Sequence, residues 1–298
     1  MQIVYSPEYE VNLGAHPFVT AKYRLVKEKL IEENIFTEKD FVIPEIPDDD
    51  DILLVHTPEY FKKVKSVHLS SDEILRLEIP LTKEITSAGI LCCGGTILAC
   101  IIAIETGAGI HLGGGFHHAF PDHGEGFCVF NDLAVAIRKM QKLNKIKKAL
   151  VIDCDLHQGN GTAYIFQKDT NVFTFSIHQE DIYPYPKQRS NVDIELSAGS
   201  GDEEYLELLR KSIPAIIKKH KPEIILYQAG ADPYKGDQLG QLKLTIDGLK
   251  KRDEFIFKQA RTHDIPVAVT LGGGYALDTK DTVNIHTNTV RVFLKKAM

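Results

Sequence analysis

Short aliphatic and β-branched runs recur along the chain with amphipathic helical patterns between them, and this alternation restricts the fold more than any other feature. The runs are QIVY near Gln2, ILLVH near Ile52, AGIHL near Ala108, KALVID ending at Asp153, NVFTFSI ending at Ile177, EIILYQ ending at Gln228 and PVAVTL ending at Leu271. Helical spacing appears in FVTAKYRLVKEKLIEEN, NDLAVAIRKMQKL, DEEYLELLRKSIPAIIKKH and TIDGLKKRDEFIFKQARTH. Strands apolar on both faces, alternating with helices, read as an α/β fold in which a mostly parallel central sheet is covered by helices on both faces. No Pro/Gly/Ser-rich linker, fixed-period repeat or low-complexity tract divides the 298 residues, so residues 1–298 read as a single domain with one core.

One segment imitates a membrane span. Ile85 to Ile104, ITSAGILCCGGTILACIIAI, carries no charge over roughly the length a bilayer needs. It is interrupted by Gly89, Gly94 and Gly95 and lacks flanking basic asymmetry, which favours a helix buried inside an α/β core; no membrane partner is expected. A net charge of -6 without a concentrated basic face argues against nucleic acid as the partner. The basic run KMQKLNKIKK from Lys139 and the acidic DDDD from Asp48 read as solvated faces. Cys92, Cys93, Cys100, Cys128 and Cys154 form no C-x-x-C pair, and MQIVYSPEY, with no basic n-region followed by an apolar h-region, does not read as a signal peptide. Both features point to a reducing, cytoplasmic setting.

Five of the strands run into unusual loops: GGGFHHA, CDLHQGNGT, HQEDIYP, AGADPYKGD and GGGYALD. Ligands of open parallel sheets bind beyond the carboxyl ends of the strands, so these loops should converge on one active-site rim. Asp153, Asp155 and His157 alternate at i, i+2 and i+4, and an extended segment projects such residues to one side. Two carboxylates and an imidazole suit a divalent metal, although the triplet alone serves equally well as a turn cap or salt bridge. Asp232, just past the strand IILYQ, adds a second anionic ligand. Asp155, His157 and Asp232 would leave an open coordination position, the arrangement of a catalytic zinc site. Asp153, one pleat deeper, is better placed to orient another group.

The tandem His117 and His118 could supply a general base and a general acid if acidic or amide partners fix their tautomers. In LGGGYAL, Gly272, Gly273 and Gly274 bring backbone close to the rim and present Tyr275, whose phenol would stabilise a developing oxyanion. By itself GGGY could equally be a tight turn carrying a packed aromatic.

Taken together, HPFVTAKYR, VHTPEY, GGGFHHAFPDHGEGFCVFND, DCDLHQGNGT, YQAGADPYKGDQLG and LGGGYA resemble the zinc-dependent histone deacetylase family with its arginase-like α/β fold, in the family's order and over most of the chain. HQGN, HPFVTAKYR and IYPYPKQR look most like the class IV branch. The resemblance makes Asp155, His157 and Asp232 the ligands of one Zn2+, His117 and His118 the catalytic histidines, and Tyr275 the carbonyl-polarising group. It has Asp153 back the first histidine and, with Ser176 and Ile177, bind a structural potassium ion. It puts Gly126 and Phe127 in the wall of an acyl-lysine tunnel, Leu239 at its rim and Gly273 beside the substrate.

Two departures stand out. Gln158 and Asn160 replace the second histidine and the aspartate that many family members carry, so Asn160 should face His118 as a neutral partner. The segment from Ile182 to Ile194 lacks the glycine-rich turn of class I and should reshape the tunnel mouth.

The implied activity is zinc-dependent hydrolysis of the amide of Nε-acyl-lysine, with acylated lysine side chains of proteins or peptides as partners. Class IV resemblance extends the range to long acyl chains. The alternatives are an acetylpolyamine or other small acylated-amine hydrolase, against which Leu239 speaks; a binuclear-manganese ureohydrolase, which needs more bridging carboxylates; and a non-catalytic acyl-lysine binder.

Overall fold

The computed structural model describes residues 2–294. In chain order its elements are β1 (Ile3–Val4), α1 (Lys22–Glu32), β2 (Phe41–Val42), α2 (Asp49–Ile52), α3 (Pro58–Lys65), α4 (Ser71–Leu77), α5 (Lys83–Thr106), β3 (Ala108–His111) and α6 (Asp132–Lys142). Next come β4 (Ala149–Asp153), α7 (Asn160–Phe166), β5 (Val172–Gln179), β6 (Val192–Leu196), α8 (Asp202–His220), β7 (Ile224–Gln228), α9 (Ile246–Thr262), β8 (Val267–Thr270) and α10 (Thr279–Leu294). The strands form one sheet in the order β2-β1-β3-β8-β7-β4-β5-β6. Every pairing in it is parallel, where the sequence predicted a mostly parallel sheet.

Side chains of the central strands alternate between two cores. Leu150, Ile152, Ile225, Tyr227, Val267 and Val269 pack on one face with α1, α8, α9 and α10. Ala149, Val151, Ile224, Leu226 and Ala268 pack on the other with α3, α5 and α6. This is why these strands read as unbroken apolar runs: each residue is buried whichever way it points. The connection from β4 leads outward through α7 to β5, whereas the one from β7 leads the other way through α9 to β8. Right-handed crossovers in opposite senses put those helices on opposite faces and open a crevice between the carboxyl ends of β4 and β7.

The uncharged segment lies within α5 as expected. α5 is long and apolar enough to cross a membrane, yet 67% of its most apolar window is buried, against β3, β8 and α6. Gly109 of β3 approaches it so closely that a Cβ there would lie 2.0 Å from the Ala99 carbonyl oxygen.

Three expectations fail. ILLVH is not a strand; Ile52 ends the short helix α2, whose first turn carries Asp49, Asp50 and Asp51 where negative charge complements the helix dipole. Asp51 is not solvated either. It is buried and takes both carboxylate oxygens to Lys139, at 2.7 and 2.6 Å, so the acidic and basic runs meet. Finally, the edge strands β2 and β6 have no counterpart among the predicted runs: β2 has only two residues, and β6 carries Asp193 and Glu195 and is mostly only partly buried.

Candidate active site

The loops after β4 and β7 bring Asp155, His157 and Asp232 together, with one ligand atom of each within 4.8 Å of the others. The strand ends at Asp153, and beyond it the chain turns. The three alternating residues therefore do not all face one point: Asp155 and His157 join Asp232, while Asp153 is aimed at His117. Asp155 Oδ2 accepts hydrogen bonds from Gln228 Nε2 (2.8 Å) and the Gly273 amide (3.0 Å). Asp232 Oδ1 accepts from the Leu156 amide (3.0 Å), whereas its Oδ2 is buried and accepts none. His157 Nδ1 lies 3.4 Å from Asp155 Oδ1 and 3.5 Å from Asp232 Oδ2.

These residues fit a divalent cation. A buried carboxylate oxygen without a donor is costly unless a cation meets it. Burial, then the Asp155 charge, pushes Asp232 up to about 7. Burial works against charge on His157 too, but the neighbouring carboxylates Asp155 and Asp232 hold it up at about 10. The cluster draws positive charge to one point. Backbone crowds it from two sides: a Cβ on Gly230 would lie 2.5 Å from Asp155 Oδ2, and one on Gly273 2.2 Å from Asp232 Oδ2.

The tandem histidines follow β3 on a loop that is pinned despite its glycines. Asp132 accepts from the Gly115 and Phe116 amides (3.0 and 2.7 Å), and Asn131 Nδ2 donates to the Ala119 carbonyl (3.2 Å). Gly115, at φ +86°, meets the other glycine loop, where a Cβ would lie 2.8 Å from Gly272 Cα. His117 Nδ1 donates to Asp153 Oδ2 at 2.7 Å. Burial pulls His117 down, but Asp153 and Asp155 push it up to about 9. Burial raises the Asp153 carboxyl as well, so the pair contests one proton. Asp153 Oδ1 also accepts from the Asp155 amide (3.1 Å), which favours its carboxylate, and we place the proton on His117.

His118 differs. Its Nδ1 donates to Asn160 Oδ1 at 2.6 Å, the neutral partner expected from the sequence. Burial, then the charges of His117 and His157, hold His118 well below the usual histidine range. A neutral imidazole with its Nδ1 proton committed leaves Nε2 bare, which is the form a base requires.

Gly126, Phe127, Leu239, Gly273 and Tyr275 all line one cavity of about 430 Å³ with His117, His118, Asp155 and His157. Phe127 adopts φ +67°, an uncommon backbone for a bulky residue, and its ring stacks on Phe18 at 6.2 Å. The Tyr275 phenol is kept un-ionised by burial and then by Asp155 and Asp232, so it can donate a hydrogen bond. Ser176 stands opposite Asp153 in the sheet register, with its hydroxyl against His178 Nδ1 (2.8 Å); Ile177 comes next in the strand, fully buried.

Several residues of the site were not singled out from the sequence. Gln228 holds Asp155. Lys22, fully buried, donates to the Gly272 carbonyl at 2.8 Å. Asp237 accepts from the Tyr275 amide (2.7 Å) and the Leu239 amide (2.9 Å). Arg252 donates to the carbonyls of Gly230 (2.7 Å) and Cys154 (3.2 Å), tying the two ligand-bearing loops from beneath. Gln158, which the sequence did mark as a departure, holds the 182–194 segment with its Nε2 through the Gln188 carbonyl (2.6 Å) and Asp193 Oδ1 (2.8 Å). For Gln228, Lys22 and Arg252 the only sequence signal was a polar residue inside an otherwise apolar or amphipathic run.

Residues 16–290 match the family model of the histone deacetylase domain. The chain is 37% identical over 286 residues to an uncharacterized protein of Picosynechococcus sp., covering 96% of this chain and 95% of that one. It is 32% identical to histone deacetylase 2 of Arabidopsis thaliana, covering 92% of this chain and 74% of that one. It is 30% identical to the acetoin utilization protein AcuC of Staphylococcus aureus (strain MRSA252), covering 87% and 72% respectively. In fold it resembles the crystal structure of the HDA15 HD domain, with a TM-score of 0.84 at 22% identity over 99% of this chain and 88% of that one. Matched along nearly all of its length by that model and by these relatives, the chain belongs to the histone deacetylase domain family.

Proposed function

We propose that the chain is a zinc-dependent amidohydrolase that removes acyl groups from the side-chain amine of lysine. The observation that carries this reading is the buried Asp155, His157 and Asp232 cluster, with an unpaired carboxylate oxygen, beside a cavity that also holds two histidines and a tyrosine. A zinc ion held by those three residues would polarise the acyl carbonyl and acidify water.

The chain's own groups do the rest. His118 Nε2, bare in the tautomer set by Asn160, takes a proton from the attacking water and returns it to the departing lysine amine. His117 keeps its own proton, donates it in a hydrogen bond to Asp153, and contributes positive charge where negative charge develops. Tyr275 donates its hydroxyl hydrogen to the oxyanion. Gly126, Phe127 and Tyr183 enclose the aliphatic stem of the lysine, with Leu239 and Gly273 completing the wall.

Potassium beside Asp153, Ser176 and Ile177 belongs to the same reading, supported by the register that sets Ser176 next to Asp153. Class IV membership is supported by HPFVTAKYR, HQGN and IYPYPKQR. A cytoplasmic location is supported by five free, buried cysteines. Glu78, exposed and lining the cavity, favours a second reading in which the substrate is a small acylated polyamine.

The deciding experiment assays protein stripped of metal and reloaded with zinc. Substrates are lysine peptides bearing acetyl through myristoyl groups, with an N-acetylated polyamine beside them. Zinc-restored turnover of the peptides supports the proposal, and turnover of the polyamine alone supports the second reading. Absence of hydrolysis by the zinc-loaded protein would sink both.

A further inference from the structure

The neutral partner of His118 does not stand alone. Asn160 Nδ2 donates to Glu125 Oε1 at 2.6 Å, and the Tyr183 hydroxyl donates to that same oxygen at 2.9 Å. The other oxygen, Glu125 Oε2, lies 3.5 Å from His123 Nε2, and His123 Nδ1 lies 2.8 Å from Asp122 Oδ1. A chain of polar groups therefore runs from the surface, through Glu125 and Asn160, to the imidazole of His118. Burial alone would raise the Glu125 carboxyl, but hydrogen bonds from His123, Asn160 and Tyr183 hold it below the usual range, so it is a carboxylate that only accepts.

That last property fixes the geometry. An asparagine amide can present either its oxygen or its nitrogen to a neighbour. A carboxylate at one end compels Nδ2 to face Glu125, and so compels Oδ1 to face His118. The imidazole must then carry its proton on Nδ1. With the amide reversed, Nδ1 would become an acceptor and the proton would move to Nε2, the nitrogen that faces the substrate in the proposed reaction. The Tyr183 ring is fixed by the same oxygen and lies edge-on to His118 at 5.0 Å.

We propose that Glu125 is a positioning residue that acts through Asn160 to set the tautomer of His118, and that Glu125 and Asn160 are a matched pair. An aspartate at position 160 would set one carboxylate against another across the present 2.6 Å contact, so the amide is what this glutamate requires. The inference rests on His118 being the base of the proposed hydrolysis.

The test has an arm that does not depend on activity. In zinc-loaded protein carrying isotopically labelled histidine, imidazole carbon and nitrogen shifts report the tautomer of His118, assigned by comparison with His118→Gln. The wild type should show the proton on Nδ1, Glu125→Ala should show a mixture or the Nε2 form, and Glu125→Gln, which keeps an acceptor oxygen, should restore Nδ1. An unchanged tautomer in Glu125→Ala overturns the proposal. This holds even if no acyl-lysine substrate is turned over, which would instead count against the proposed function.

The kinetic arm uses peptide hydrolysis at about pH 8, where two facing carboxylates no longer share a proton readily. Asn160→Asp alone should lower kcat by about tenfold or more, with KM within about twofold, on the scale of losses from groups that orient a reactive side chain. Asn160→Asp combined with Glu125→Gln should recover most of that loss, because glutamine donates to the new carboxylate. Glu125→Ala should lower kcat much less in an Asn160→Ala background than in the wild type. Equal losses in both backgrounds, or no recovery in the double variant, would show that Glu125 acts by another route.

Discussion

Replacing Gly273 with alanine probes the metal cluster at a residue that ligates nothing. Gly273 does not occupy the left-handed backbone region, so alanine is acceptable to the main chain. The added Cβ, however, would lie 2.2 Å from Asp232 Oδ2 and 2.7 Å from Asp155 Oδ2. Ordinary contact begins at 3.4 Å, so the Asp232 oxygen would have to retreat by the difference, 3.4 − 2.2 = 1.2 Å. Metal–ligand distances tolerate only about 0.2 Å. The substitution should therefore weaken zinc by at least the tenfold to hundredfold, roughly 1.4 to 2.7 kcal/mol, expected from disturbing the groups that orient a ligand. Competition against a chromophoric chelator measures that affinity directly. Thermal melts give a second reading, with each protein melted with and without metal so that the cost of the added methyl in the packed site is separated from the loss of zinc. The upward shift on adding zinc should shrink in step with the lost affinity. Wild-type zinc affinity in Gly273→Ala would refute the assignment of Asp155 and Asp232 as ligands.

Tyr275→Phe should lower kcat by on the order of 100- to 1,000-fold with zinc content and hydroxamate binding retained; a loss under about threefold would show that the oxyanion is held elsewhere. Arg252→Met should destabilise the fold by about 3–5 kcal/mol in urea titrations, because it strips a buried carboxylate, Asp253, of its cation (3.0 Å) and leaves the Gly230 and Cys154 carbonyls without that donor. A cost under about 1 kcal/mol would contradict that role. Acid should destabilise the protein through His56, whose Nε2 accepts from the Asn131 amide (3.0 Å) and which burial holds down at about 4. The unfolded chain takes up this proton near 6.5, so the stability is complete above that pH, is lost as pH falls toward 4, and amounts to about 3 kcal/mol. His56→Gln should flatten the loss between those values, and an unchanged acid slope would count against this account.

The rim was legible because its residues are odd in their local setting. Paired imidazoles after AGIHL, alternating acids after KALVI and a tyrosine after three glycines have little reason to end a buried strand unless something is bound there. Parallel strands then leave all five loops no choice but one edge. The misreadings share a different cause. ILLVH and the two-residue strand β2 are too short for periodicity to separate helix from strand, and the outcome is decided by the acids preceding Ile52 and by which neighbour offers an edge. Strict alternation holds only while the chain stays extended; β4 stops at Asp153, and that residue, read as placed to orient another group, faces His117.

What the sequence hid most thoroughly is the layer behind the reacting groups. Gln228 is 73 residues from Asp155, and Lys22 is 250 from Gly272; no local pattern links either pair. Asn160 illustrates the point most sharply. Along the chain it is a departure that leaves His118 with a neutral partner and no compensating charge. In the fold, a turn 35 residues away delivers the Glu125 carboxylate to the far side of the same amide. The residue that looked like a loss is the link between an imidazole and a carboxylate, and its meaning depends on a neighbour that only packing supplies.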